Sequence, residues 1–155
     1  MRFRVTFASM GILGASVLLA TPALAVDWGS ASNPVFGYEN GKKFGKMYGK
    51  FYNDNSVSAM STTWQYDLRP GGNKVRVETD FYWYRICQSY QSSPSWCPDV
   101  SKQTEETNTA SWVKDSRARN LRFDSSASRG GIDICEIQAW SNDPCSPQAL
   151  PQFSY

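Results

Sequence analysis

The sequence predicts an all-β protein, a single antiparallel β-sandwich with two local disulfides and an extended N-terminal segment. Three observations predict it. Beyond residue 45, apolar and polar residues alternate with a period of two, as they do along half-buried strands. Clusters of Gly, Pro, Asn and Asp divide these stretches at strand-like intervals. No segment beyond residue 25 has both the length and the period of an amphipathic helix.

Residues 1–25 read as a secretory signal peptide. Arg2 and Arg4 open it, residues 5–20 are small and apolar, and Pro22 precedes an Ala23-Leu24-Ala25 cleavage triplet. The apolar run is short for a bilayer span of about 20 residues, and no later segment is better, so no membrane span is expected. Cleavage after Ala25 would leave a secreted, extracellular protein of one domain, with residues 26–45 as the extended lead-in and 46–155 as the sandwich. The chain holds 16 Lys+Arg and 14 Asp+Glu, and the leader removes two arginines and no acid. The exported chain is therefore balanced in charge, which argues against a nucleic-acid partner.

The elements follow in order. Residues 26–45 are rich in Gly, Ser and Asn, yet carry Trp28, Val35, Phe36 and Tyr38. A disordered tail would hold fewer large apolar groups. Two readings stand for this stretch, a first strand on its own domain and an arm that docks elsewhere. Residues 46–52 alternate as a strand, and Asn53-Asp54-Asn55 supplies turn chemistry. Residues 57–68 form the return strand, and 69–73 a Pro-Gly turn. Residues 74–87 are the clearest strand. Val75, Val77, Thr79, Phe81 and Trp83 share one face, with Arg76, Glu78, Asp80, Tyr82 and Tyr84 on the other. Residues 88–100 read as a loop, 102–114 as a Thr-rich strand, and 115–120 as a helical turn or a bridge between strands. Residues 121–123 are a short strand candidate, 125–131 a turn, 132–137 the last long strand and 146–155 an extended tail.

All four cysteines, Cys87, Cys97, Cys135 and Cys145, fall after the leader, and an even count in an exported chain reads as disulfides. Each pair encloses a similar loop, which favours 87–97 and 135–145. CxxC spacing and histidines are both absent, so no metal or other cofactor is expected.

The residue types narrow the chemistry. Without histidine there is no Ser-His-Asp or Cys-His arrangement, and oxidised cysteines leave no thiolate. Paired carboxylates remain, with Asp80, Glu105, Glu106, Asp133 and Glu136 as candidates. Glu105 and Glu106 would point to opposite faces of a strand, and Asp133 to solvent between Ile132 and Ile134. They read as surface acids, no catalytic residue is assigned, and a non-enzymatic protein is expected.

Aromatic residues are abundant. Of eight Phe, eight Tyr and six Trp, only Phe3 and Phe7 lie in the leader. Phe51, Phe81, Trp83 and Trp112 suit a core. Tyr48 and Tyr52 form an outward row, and Tyr82, Tyr84, Trp96 and Trp140 are candidates for surface recognition, since Tyr and Trp anchor interfaces at small entropic cost.

Trp28 and Tyr38 in the lead-in, the 74–87 strand and the closing Ile134-Cys135-Glu136 and Asp143-Pro144-Cys145-Ser146 resemble a group of small secreted actinobacterial β-sandwich proteins. Within that group the chain is similar to the adaptor subunits of umbrella toxin particles. The resemblance implies an adaptor in an extracellular antagonistic toxin complex, whose N-terminal stretch docks onto a repeat-containing subunit. Trp28, Val35, Phe36 and Tyr38 would then be the partner-binding anchors, through strand addition. Two further functions fit the residues. One is a carbohydrate- or cell-wall-binding sandwich using Tyr82, Tyr84, Trp96 and Trp140. The other is a secreted hydrolase inhibitor presenting the Ser92-Ser93-Pro94-Ser95 loop.

Overall fold

The computed structural model describes residues 25–139 and 142–155, so residues 1–24 of the expected leader and Trp140 lie outside the described residues. Among the described residues nine strands form: β1 (Val26–Trp28), β2 (Val35–Glu39), β3 (Lys42–Asp54), β4 (Ser58–Asp67), β5 (Val75–Arg85), β6 (Ser95–Gln103), β7 (Val113–Asn120), β8 (Ala127–Glu136) and β9 (Gln152–Ser154). Two antiparallel sheets pack face to face. The first runs β1-β3-β4-β7 with β2 also on β3, and the second runs β6-β5-β8-β9. The protein is thus an all-β sandwich closed by Cys87–Cys97 and Cys135–Cys145. Such disulfides fit an oxidising environment. Among the described residues, no helix is long and apolar enough to cross a membrane.

The alternation of β5 places Val75, Val77, Thr79, Phe81 and Trp83 inside, each at most 1% exposed. They meet Met47 and Phe51 of β3 and Ile132 and Ile134 of β8 in one core. Burying each such side chain stabilises the fold by about 1.5–3 kcal/mol.

Residues 26–39 belong to this sandwich, as β1 and β2 on the edge of β3. Trp28 stands opposite Gly49 and is 7% exposed, inside the core. The ring occupies the space that a side chain at position 49 would need, since a Cβ there would lie 2.6 Å from it. β2 and β3 are joined by Asn40-Gly41, both at positive φ, between the paired Glu39 and Lys42. Asn-Gly is the usual chemistry of a two-residue hairpin, and it extends β3 back to Lys42, ahead of the boundary drawn at residue 45. The next hairpin turns at Asn55 and Ser56, also at positive φ, with Val57 N–H donating to the Asp54 carbonyl at 3.0 Å.

Several elements differ from expectation. Residues 115–120 are strand throughout, within β7, because Asp115, Arg117 and Arg119 point inward to polar partners. Arg119 Nε lies 2.6 Å from Asp99, which also accepts from Trp83 Nε1 at 3.0 Å. Residues 121–123 form no strand, while β8 starts as early as Ala127 and runs through Gly130 and Gly131, where a Cβ would crowd Ile132 and Tyr82. Glu105 and Glu106 sit in a loop after β6, not on a strand. Trp112 is outside the core.

The largest departure is β4, whose pattern is inverted. Ser61, Thr63, Gln65 and Asp67 face the core and are at most 1% exposed, while Trp64 and Tyr66 face outward. Hydrogen bonds make this tolerable. Ser61 Oγ meets Thr79 Oγ1 at 3.0 Å, Gln65 Nε2 donates to the Glu105 carbonyl at 2.7 Å, and Thr104 Oγ1 donates to Gln65 Oε1 at 2.9 Å. A buried polar group costs little when its partners are in place.

Candidate functional site

One end of the sandwich is apolar and open to solvent. Tyr84 and Ile86 leave the end of β5 and are 37% and 48% exposed. Tyr90, on the loop closed by the Cys87–Cys97 disulfide, is 82% exposed, and Phe123, on the β7–β8 connection, is fully exposed. Tyr84, Arg85, Ile86, Pro94, Phe123 and Asp124 border a shallow cleft of about 500 Å³. Single exposed apolar residues are ordinary, but a cluster around a cleft is the usual mark of an interaction site.

The backbone presenting these side chains is held firmly. Gln91 Oε1 accepts from Cys87 N–H at 2.9 Å and from Gln88 N–H at 3.2 Å, inside the disulfide loop. Opposite it, Asp124 takes Arg122 Nε at 2.8 Å and Arg85 Nη1 at 3.4 Å. Arg122 holds the Asp124 carboxyl below its ordinary range. The Tyr155 hydroxyl accepts from Arg122 N–H at 3.2 Å and donates to its carbonyl at 3.1 Å. Ser125 Oγ donates to the Tyr84 carbonyl at 3.2 Å. Phe123 therefore projects from a clamped turn, and little entropy would be lost on docking.

Of the four recognition aromatics named from sequence, Tyr82, Tyr84 and Trp96 come together on the outer face of the second sheet. Trp96 lies in β6, directly opposite Tyr84, because that strand starts at Ser95 inside the expected loop. The Tyr84 and Trp96 centroids are 5.3 Å apart. The Arg129 guanidinium lies 5.1 Å over Tyr82 and 4.6 Å over Trp96, so these two rings stack on the protein's own cation. Trp140, the fourth, lies outside the described residues.

The N-terminal set is divided. Trp28 is buried and Val35 packs against the core. Phe36 and Tyr38 remain at the surface, where Lys43 Nζ lies 3.6 Å over Phe36 and 6.0 Å over Tyr38. Using Trp28 as an anchor in another protein would require peeling β1 from β3.

Among the acids, Asp80 and Asp133 approach each other through one amide, with Gln148 Nε2 3.1 Å and 3.3 Å from their respective carboxylates. Asp133 is half-buried rather than solvent-facing, because the chain after Cys145 runs along β8. Burial, reinforced by Glu78 and Asp80, pushes its pKa up to about 6. Glu136, expected at the surface, is 2% exposed. Burial raises its pKa, and Arg69 Nη1 lies 3.4 Å away. Glu105 and Glu106 stay apart from these, Glu106 pairing with Lys74 at 3.2 Å. Asp133, Cys135 and Cys145 cluster, but the two sulfurs are bonded to each other and hold no thiolate for a metal.

A second aromatic surface, on the outer face of the first sheet, went largely unread from sequence. Trp64 stacks flat on Tyr48 at 5.1 Å, and Trp112 makes T-shaped contacts with Tyr48 and Tyr66 at 4.9 and 5.4 Å. Only Tyr48 and Tyr52 were placed there by their alternation. Trp64 and Tyr66, two apart in the chain, carried the same signal in the return strand. In comparisons of the chain with protein-family models, curated proteins and solved structures, nothing matches.

Proposed function

We propose that the mature chain is a secreted, non-enzymatic protein-binding module that engages its partner through the apolar end formed by Tyr84, Ile86, Tyr90 and Phe123. The observation that carries this reading is Phe123: a fully exposed phenylalanine on a turn clamped by Asp124, Arg122 and Tyr155. A large side chain held rigidly in water is costly to solubility and contributes nothing visible to the core, so a partner is the natural reason for it. The disulfide loop beside it supplies a second rigid rim. The resemblance to adaptor subunits extends the proposal to a role in an extracellular antagonistic toxin complex. Phe36 and Tyr38, on the edge strand β2, offer a separate contact for a repeat-containing subunit.

The carbohydrate reading built on Tyr82 and Trp96 is less favoured, since a half-buried Arg129, its Nε inaccessible to solvent, already stacks on both rings. The test is affinity purification of tagged mature protein from its native culture medium, followed by mass spectrometry. A defined partner is expected with the wild type and lost with Phe123→Asp, a variant whose exposed site leaves the fold intact. Equal recovery by both proteins would refute the reading.

A further inference from the structure

The inverted strand β4 spends polar residues on the core and aromatic residues on the solvent face. Polar residues at core positions and aromatic residues at surface positions are errors of patterning unless the surface is used. The outer face of the first sheet also gathers lysines, Lys46, Lys50 and Lys114, with Asp27 beside Lys50. Lys46 Nζ lies 4.2 Å over Tyr66 and 4.8 Å over Trp112, and Lys114 Nζ lies 5.4 Å over Trp64. Lys50 lies further along β3, opposite Thr62, its ammonium 3.5 Å from Asp27. Among the described residues, Lys50 alone of these three lysines is within 4.0 Å of a carboxylate.

Rings and ammonium groups thus alternate across three strands. Lys46 of β3 pairs with Tyr66 of β4, and Lys114 of β7 pairs with Trp64 of β4, which in turn pairs with Tyr48 of β3. Two hollows of about 320 Å³ each lie on either side of Trp64 and Lys50. One is completed by Tyr48, Asp27 and the turn at 29–31, the other by Tyr52, Thr62 and Lys114. Cleavage after Ala25 would add the α-ammonium of Val26 to the rim of the second hollow, which Ala25 borders.

We propose that this trough binds an anionic polysaccharide, its pyranose rings lying on Trp64 and Tyr48 and its carboxylates meeting Lys114 and Lys50. Flat rings suit the apolar faces of sugars, and the lysines select for charge. The two lysines are two strand spacings apart across the sheet and two residues apart along it, roughly 12 Å, a span that a trisaccharide covers. Charge complementarity names the occupant, because the trough is cationic while the mature chain as a whole is balanced. A nucleic acid would need a wider basic field to displace its counterions. The trough is on the opposite sheet from Tyr84, Ile86 and Tyr90, so the two surfaces can be occupied together.

The test uses the mature chain, residues 26–155, in native gels containing polygalacturonate or its methyl ester, which keeps the rings and removes the charge. Retardation is expected in polygalacturonate, with at least tenfold weaker binding to the ester and a progressive loss as salt rises. Lys114→Met should weaken binding at least threefold and Trp64→Ala at least tenfold, both with unchanged circular dichroism. Lys114 is exposed, so its variant decides the matter if Trp64→Ala fails to fold. Absence of retardation, equal affinity for the ester, or tighter retention by single-stranded DNA would overturn the proposal. Phe123→Asp should bind polygalacturonate as the wild type does. Lys114→Met should recover the protein partner as the wild type does, which separates failure of this site from failure of the other.

Discussion

Replacing Asp133 by Asn should stabilise the protein at neutral pH and do nothing at pH 3.5. Asp133 sits between Ile132 and Ile134 on β8, half-covered by the chain that follows Cys145. Desolvation, with Glu78 and Asp80 nearby, raises its pKa from 3.8 to about 6. The folded chain therefore holds this proton more tightly than the unfolded chain. Its contribution is most favourable below the unfolded value and is lost as pH rises through about 6. A shift of this size corresponds to about 3 kcal/mol at 1.36 kcal/mol per unit. Partial exposure and the Gln148 amide at 3.3 Å screen the charge, which leaves about 1–2 kcal/mol. Asn keeps an acceptor for Gln148 and carries no charge. Urea unfolding of both proteins from pH 3.5 to pH 8 reads the difference directly. With a slope of about 1–2 kcal/mol per molar, the variant's midpoint should lie about 1 M higher at pH 8. The gap should close as pH falls from about 6 to about 4. The other shifted acids, among them Asp67 and Glu136 upward and Asp99 and Asp124 downward, titrate in both proteins and cancel. A gap that is the same at every pH, or a loss of stability at pH 8, would refute the assignment.

Arg69 ties the β2–β3 hairpin to β8, donating to the Lys42 and Lys43 carbonyls at 3.1 and 3.2 Å and pairing with Glu39 and Glu136. Arg69→Met leaves Glu136 buried without its cation and should cost about 3–5 kcal/mol, while adding Glu136→Gln should recover a third or more in a urea double-mutant cycle. Gly49→Ala would place a Cβ 2.4 Å from the Thr62 carbonyl oxygen and 2.6 Å from the Trp28 ring. It should cost about 2–4 kcal/mol and release β1, seen as faster amide exchange at 26–28. Replacing Cys87 and Cys97 by serine opens a loop of sequence separation 10. By loop entropy this should lower stability by about 2–3 kcal/mol, and it should weaken partner recovery through Tyr90 while leaving polygalacturonate binding unchanged.

The parts of the fold legible in the sequence are those where burial follows alternation. β5 and β8 place their inward residues where a period of two puts them, and the loop between each cysteine pair is short enough to name its own disulfide. Legibility fails where a local rule is overridden by a distant partner. The polar inward face of β4 depends on Thr79, Thr104 and the Glu105 backbone, none of which is near it in sequence. β7 reads as irregular because its inward arginines have lost the apolar signal and answer instead to Asp99 and Asp115. The Asn40-Gly41 hairpin was readable from local chemistry alone, and with it the two edge strands that replace a free arm. The exposed face of a ring cannot be read locally. Tyr82 and Trp96 show the same alternation as Tyr48 and Trp64, and the cation over them separates the pairs: a half-buried Arg129 covers the first, while an exposed Lys114 lies 5.4 Å over Trp64.

Two surfaces with different demands sit on one frame, and the frame explains how they coexist. The apolar end needs fixed loops, supplied by a disulfide, a carboxylate between two arginines and the C-terminal tyrosine. The trough needs a flat sheet with outward rings, and flatness comes at the expense of an apolar inner face on β4. The cost is met in part inside, by hydrogen bonds that tie Ser61, Gln65 and Asp67 into a polar seam, while Thr63 Oγ1 and Asp67 Oδ2 are buried without a partner. Gln65 is the joint of that seam, since its amide links β4 to Thr104, whose hydroxyl in turn accepts from Val77 N–H at 2.9 Å. An apolar residue at 65 would strand that hydroxyl and the Glu105 carbonyl. It follows that the outward rings of Trp64 and Tyr66 are fixed in phase by a buried polar partner on the other sheet. A change made in the interior at position 65 should therefore be felt first at the trough, and last at the distant apolar end.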